Sequence, residues 1–265
     1  MHRTKPALYL KRSPLVYVVA QVRFSAIVKM EQYIPDIQEK VRHEGFPKFS
    51  RGRVTEVRVE ADREAQFTAS DRWEFQNKES TLGVVVSTGS LAVHTSKYNR
   101  YEEFEKTVDQ SLRVLNVVAS PSLVERIGLR YVDLVQPGDN ETFADYLQPG
   151  ILGLDAARFQ ARNPLHRYQF TGRTEAGHIV VRWWQNDAGV ILPPDLGSST
   201  LRHEAKAEAG KVVGILDLDH FTEDGTSEFD VSHIADLLGS LHGNLDLAFR
   251  SAVTPKALEV WGSEP

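Results

Sequence analysis

Ser13-Pro14-Leu15-Val16-Tyr17-Val18-Val19-Ala20-Gln21-Val22-Arg23-Phe24 has a counterpart about 107 residues further on, Ser120-Pro121-Ser122-Leu123-Val124-Glu125-Arg126-Ile127-Gly128-Leu129-Arg130-Tyr131. Each stretch opens on Ser-Pro, runs through β-prone residues and closes on hydrophobic-Arg-aromatic at the same offset. In the first, Val16, Val18, Ala20, Val22 and Phe24 alternate with Tyr17, Val19, Gln21 and Arg23. That period of two belongs to a strand with one apolar face. Later landmarks repeat as well. Arg72-Trp73-Glu74 answers Arg202-His203-Glu204, and each precedes a hydrophobic strand and then an amphipathic helix.

The helices carry their own register. Phe104, Val108 and Leu115 recur as Ile234, Leu238 and Leu245, an offset of about 130, so an insertion of about 23 residues near 149–175 reconciles the two repeats. The expected fold is α+β, with mostly antiparallel sheets and long amphipathic helices in a pseudo-duplicated β-α-β-meander-α unit. The first half-domain covers 13–119 and the second 120–265, with residues 1–12 as a basic, solvated N-terminal arm. The alternative is a single unduplicated α+β domain with two similar helices.

Between these landmarks the pattern changes period. Met30, Tyr33, Ile34, Ile37 and Val41 fall at helical spacing and Gly45 stops that helix. Val54, Val57 and Val59 predict one short strand, Phe67 a second, and Trp73 with Phe75 a third. Thr88-Gly89-Ser90 predicts a hairpin turn between Leu82–Ser87 and Leu91–Thr95. In the second half, strands are expected at Ile179–Trp184, Val190–Leu192, Arg202–Glu208 and Val212–Asp219. Asp230 or Ser232 is the expected N-cap of the last long helix, and Thr254-Pro255 opens a final turn.

Composition narrows the function classes. The 265 residues are 41% hydrophobic and 25% charged, as in an ordinary globular protein. A net charge of −5 does not favour nucleic acid or an anionic membrane as partner. Cysteine is absent, which excludes disulfides, thiol catalysis and thiolate metal sites. The apolar run Leu15–Val19 is too short for a signal sequence or a membrane span. A soluble cytoplasmic protein is expected; the sequence specifies no oligomeric state.

The opening Ser-Pro-Leu-Val, the strand Glu125-Arg126-Ile127-Gly128-Leu129-Arg130-Tyr131, the Leu241-His242 helix and the closing Thr254-Pro255 and Val260-Trp261-Gly262 carry a resemblance. Together they look like a sporadically distributed bacterial family of uncharacterised proteins, over nearly the whole chain. The resemblance implies an accessory or defence setting and brings no catalytic residues with it.

Three constellations carry chemistry. Asp217 and Asp219 project to one face of a strand, where two carboxylates suit a divalent metal; Glu204 or Glu208 on a neighbouring strand would complete an oxygen-rich shell. That is the alternative function, a divalent-metal-dependent phosphoesterase or nuclease. Arg23 and Arg130 occupy matched repeat positions, and Arg126 shares a strand face with Arg130, so their guanidinium forks suit carboxylate or phosphate. The plainer interpretation pairs Arg23 and Arg130 with Glu74, Glu204 or Asp71. Trp183-Trp184 lies in a strand, which sends the rings to opposite sides, and Trp184 with Pro193, Pro194 and Leu196 forms a candidate partner-docking surface. No Gly-x-Ser-x-Gly, Walker or Gly-x-Gly-x-x-Gly motif is present, and the histidines lack ligand spacing. The favoured function is a non-enzymatic binding or regulatory protein for a protein partner or small anionic ligand.

Overall fold

A computed structural model describes residues 9–58, 66–162, 164–196 and 199–262. The chain runs β1 (Leu15–Phe24), α1 (Met30–His43), β2 (Lys48–Arg58), β3 (Gln66–Gln76), β4 (Leu82–Ser87), β5 (Ser90–Thr95) and α2 (Tyr101–Ala119). It continues with β6 (Leu123–Val135), α3 (Phe143–Tyr146), α4 (Pro149–Leu152), β7 (Arg167–Thr174), β8 (Gly177–Asn186), β9 (Val213–Phe221), β10 (Ser227–Glu228), α5 (Val231–Ala252) and α6 (Pro255–Trp261). The architecture is α+β. Among the described residues one antiparallel sheet has the order β2-β3-β4-β5-β1-β6-β9-β8-β7, with β10 also on β6.

The two Ser-Pro strands are neighbours at the middle of this sheet. β1 and β6 pair antiparallel with Gln21 opposite Gly128, Arg23 opposite Arg126 and Val19 opposite Arg130. β5 flanks β1 on one side and β9 flanks β6 on the other.

Alternation assigns the two faces. Val18, Ala20, Val22 and Phe24 of β1 join Ile127, Leu129 and Tyr131 of β6 in the main core. The helices close that core: α1 contributes Met30, Ile34, Ile37 and Val41, α2 contributes Phe104, Val108, Leu112 and Leu115, and α5 contributes Ile234, Leu238, Leu241 and Leu245. Asp230 caps α5, its carboxylate accepting from the Ser232 and His233 amides at 2.7 and 3.3 Å. Trp183 is fully buried, and its indole lies over Gly214, where an added Cβ would collide with the ring. Only the absence of a side chain at Gly214 makes that approach possible.

The opposite face carries a smaller apolar cluster. Val16, Tyr17, Val132, Leu134, Val213 and Ile215 pack beneath Leu201, with Ile191, Leu192, Leu196, Ala205 and Ala207 against them. Val16 leaves the main core because the β1–β6 register shifts between Leu15 and Tyr17. The covering side chains belong to residues 187–196 and 199–211, which cross the sheet as a strap.

The strap corrects two expected strands. Neither Val190–Leu192 nor Arg202–Glu208 joins a ladder. Pro193 and Pro194 supply no N–H to pair. The alternation at 201–207 is real, with Leu201, His203, Ala205 and Ala207 turned inward and Arg202, Glu204 and Lys206 exposed. It marks an extended segment lying across the sheet, tied down by Arg202 N to Ser80 O at 2.7 Å and Gln136 Nε2 to Lys206 O at 3.1 Å.

Other boundaries also moved. Phe67, Trp73 and Phe75 lie on the single strand β3, and β7 arises within the stretch read as an insertion. Its burial is poor, Phe170 being 48% exposed, so no apolar face announced it. Val59 lies outside the described residues, as do Arg3 and Lys5 of the N-terminal arm. Lys11 and Arg12 of that arm are tethered, their amides donating to Gly262 O and Trp261 O at 3.4 and 2.9 Å. No described helix is long and apolar enough to cross a membrane.

Candidate arginine groove on the open sheet face

Three arginines and three aspartates meet where β6, β9 and β8 run side by side beneath the strap. Arg130 on β6 is 9% exposed, and Asp217 on β9 is fully buried. Arg130 donates from Nε to Asp217 Oδ1 at 2.6 Å and from Nη2 to Oδ2 at 2.8 Å. Arg182 of β8 adds a bond from Nη1 to Asp217 Oδ2 at 2.9 Å. From the strap, Asp195 accepts from Arg130 Nη1 and Nη2 at 2.6 and 3.1 Å. Arg130 is therefore held between two carboxylates in paired, fork-like geometry. Burial works against its charge, but the bonds to Asp217 and Asp195 outweigh that and raise its pKa. Burial alone would raise Asp195, yet the bonds from Arg130 bring it below the usual carboxylate range.

Asp195 stands on a short 3-10 turn, Pro194–Leu196, and separates two cavities of about 400 Å3 each. On one side Trp184, Pro193 and Pro194 line a cavity with Tyr168, Arg182 and Asp217. Trp183 points into the core and Trp184 is half-buried on this open side. On the other side Leu196 joins Gln21, Arg126, Arg130, Asp219 and Phe221. The docking residues and the arginines thus belong to adjoining cavities that share Asp195.

The three arginines differ in their company. Arg126 lays its guanidinium over the Phe221 ring, 3.8 Å from the centroid. Among the described residues no carboxylate lies within ion-pair distance of Arg126 or of Arg23, its direct cross-strand partner. The expected partners Glu74, Glu204 and Asp71 are elsewhere. Glu204 is exposed beside Arg202 at 3.4 Å, and Asp71 pairs with Arg51 at 3.0 Å.

Glu74 belongs to a buried network that the sequence did not announce. His94 Nε2 meets Glu74 Oε1 at 3.0 Å, and Tyr17 Oη meets His94 Nδ1 at 2.8 Å. Arg72, Gln76 and Thr200 also donate to the Glu74 carboxylate. Burial opposes ionisation of Glu74, but the bonds from His94, Gln76 and Thr200 prevail and bring it to about 2. Thr200 and the bond from Gln76 Nε2 to Thr200 O at 3.3 Å pin the strap to the first half of the sheet. Gly83 gives His94 room, since a Cβ there would press on its Nε2. Twenty residues separate Glu74 from His94, a spacing that carries no motif.

The metal constellation assembles only in part. Asp217 and Asp219 share the open face, with Arg182 Nη1 at 2.9 Å from the first and 4.0 Å from the second. Glu204 lies on the strap rather than on a neighbouring strand. Among the described residues no three His, Asp or Glu side chains converge as a metal would require. Asp217 already accepts three N–H donors from two arginines, which take the place of a cation. Burial raises Asp219, with Arg130 acting against it.

No family model, curated protein or solved structure matches this chain.

Proposed function

We propose that this protein is a non-enzymatic binding module whose open sheet face recognises an anionic group, carboxylate or phosphate, at Arg126 and Arg23. One observation carries this. Arg23 and Arg126 stand directly opposite each other on antiparallel strands, on the uncovered face, with no carboxylate at ion-pair distance among the described residues. Like charges so placed destabilise a sheet, and an anion bridging them removes that cost. Phe221 covers one face of the Arg126 guanidinium and leaves its in-plane N–H edge for an acceptor. Arg130 serves differently: clamped by Asp217 and Asp195, it fixes the floor and wall of the groove.

The groove lies where two copies of one ancestral unit would meet. Gln21 and Gly128 are separated by the same 107 positions as the repeated Ser-Pro strands, and they are register partners. A local two-fold axis through that pair relates Arg23 to Arg130 and Val19 to Arg126. The order β4-β5-β1 on one side and β6-β9-β8 on the other follows the same operation. This supports halves spanning 13–119 and 120–265. The divalent-metal phosphoesterase is the weaker alternative, because arginine nitrogens occupy the Asp217 oxygens and Glu204 is remote.

Inorganic pyrophosphate and citrate are suitable probes. Both should raise the thermal midpoint of the wild type, since a ligand bound only by the folded state stabilises it. Arg126→Gln and Arg23→Gln should each weaken that binding by roughly ten- to a hundredfold, as charge-assisted hydrogen bonds are lost. Among the described residues neither holds an ion pair, and relief of the like-charge repulsion offsets lost side-chain contacts such as that of Arg126 with Phe221, so the unfolding free energy without ligand should stay within about 0.5 kcal/mol of the wild type. Unchanged anion binding in both variants would sink the assignment.

A further inference from the structure

We propose that the cavity between α5 and β6, on the helix side of the sheet, is a binding site for a small organic ammonium ion with Asp133 as its counter-charge. The cavity has a volume of about 90 Å3 and lies across the sheet from the arginine groove. A water molecule needs roughly 10–15 Å3 measured in this way, so there is space for a molecule of a few heavy atoms. Its polar lining consists of Asp133, Tyr98, Tyr131, His242, Asp246, Asn99 and Ser13, of which Asn99 Nδ2 donates to Glu103 at 2.9 Å and Ser13 Oγ accepts from the Leu15 amide at 3.2 Å.

Asp133 is 3% exposed, and its Oδ2 is buried with no hydrogen-bond partner. A buried unpartnered carboxyl oxygen is costly in an apolar core and calls for a donor. No such donor comes from the walls. Tyr131 Oη is 2.9 Å from His242 Nδ1, and Tyr98 Oη is 3.4 Å from Tyr131 Oη. Asp246 is matched by Arg250 at 2.8 Å. His242 stacks on Tyr101 at 3.9 Å, and burial lowers its pKa, which keeps the ring neutral. The cavity therefore offers acceptors and aromatic rings and no cation of its own. A substituted ammonium supplies what is missing: N–H donors and positive charge for Asp133, and alkyl groups for the tyrosine rings and the surrounding Leu15, Leu218, Leu245 and Phe249. An anion would meet two aspartates here, and a neutral apolar guest would leave Oδ2 unsatisfied.

Proton linkage gives the site a signature. Burial, aided by Asp217 behind the strand, pushes the Asp133 carboxyl up to about 8. Without ligand it holds its proton at neutral pH; an ammonium ion stabilises the ionised form. Binding should thus release up to one proton below about pH 8, and affinity should rise with pH until that point.

The test is calorimetry with ethylammonium chloride near pH 7 in two buffers of different ionisation enthalpy, with sodium acetate and ethanol as controls. Saturable binding of ethylammonium alone, with proton release, is expected. Asp133→Asn, which keeps the shape of the side chain, should weaken binding by roughly ten- to a hundredfold and abolish the proton release. Should that variant fail to fold, the wild-type proton release and a several-fold weakening in Tyr98→Phe decide the matter. No saturable binding, binding without proton release, or equal binding by a folded Asp133→Asn would each overturn the proposal. Pyrophosphate binding at Arg126 is independent of every one of these results.

Discussion

Asp217→Ala is expected to lower the unfolding free energy by about 3–5 kcal/mol, the cost of removing one partner from a buried ion pair. Asp217 is fully buried and accepts from Arg130 twice and from Arg182 once. Without it, among the described residues, Arg130 keeps only Asp195 on the strap, and Arg182 keeps only Asp219 at 4.0 Å. The nearly buried Arg130 then loses two of its four charged hydrogen bonds, and the half-buried Arg182 loses its nearest carboxylate. Asp217→Asn preserves shape, but turns either an amide N–H₂ or a weaker acceptor toward the arginines, so it should fall between Ala and the wild type. Chemical denaturation measures both, and the Asp217–Arg130 double-mutant cycle should return a coupling of about 1–3 kcal/mol. Magnesium or manganese should leave the wild-type midpoint unmoved; a midpoint that rises with divalent ion and loses that rise in Asp217→Asn would restore the metal-dependent alternative. For the same reason Arg130→Ala is a stability variant, and a poor probe of ligand binding.

The second large effect lies on the helical side. Leu241→Ala should cost about 2–5 kcal/mol. Its side chain is fully buried on the face α5 turns to β6 and β9, alongside Leu238 and Leu245. Beneath it, His220 Nδ1 is 3.2 Å from the Leu241 carbonyl oxygen, and Thr174 Oγ1 holds the other ring nitrogen at 2.9 Å. The ring is fixed from both sides, which limits how far the helix can settle into the void. Leu247→Ala is the internal control: at 58% exposed it should change stability by less than about 0.5 kcal/mol. Equal unfolding midpoints for the two variants would reject the assigned helix face.

Much of the local structure was legible because it depends on neighbours in the chain. The alternation from Val16 to Phe24 needed only a period of two to declare a strand. Phe104, Val108, Leu112 and Leu115 needed only a period near 3.6 to declare which side of α2 is buried. Asp230 and Thr254 declared helix starts, because a short polar side chain beside free amides satisfies them wherever the helix packs. The opposite orientations of Trp183 and Trp184 follow from consecutive positions on one strand.

Pairing was a different matter. The alternation from Leu201 to Ala207 fixed an extended backbone with one inward side, yet whether that backbone joined a ladder depended on what lay alongside it. Here it lies over a sheet face already formed by β1, β6 and β9, so its hydrogen bonds go to Gln76, Ser80, Ser96 and Gln136 instead of a strand edge. That one placement removed Glu204 from the aspartates and brought Asp195 onto Arg130. The arginines at matched positions were visible in the sequence; their different partners were not. An ion pair 87 residues long in sequence, Arg130 with Asp217, leaves no spacing rule behind, because the distance between its ends is set by strand order alone. By itself the sequence determined the periodic elements, their caps and the buried side of each, all fixed by backbone geometry within a few residues. Only the tertiary structure decided which charges are neutralised and which stay open, because burial and Coulomb partners are properties of the packed sheet and strap.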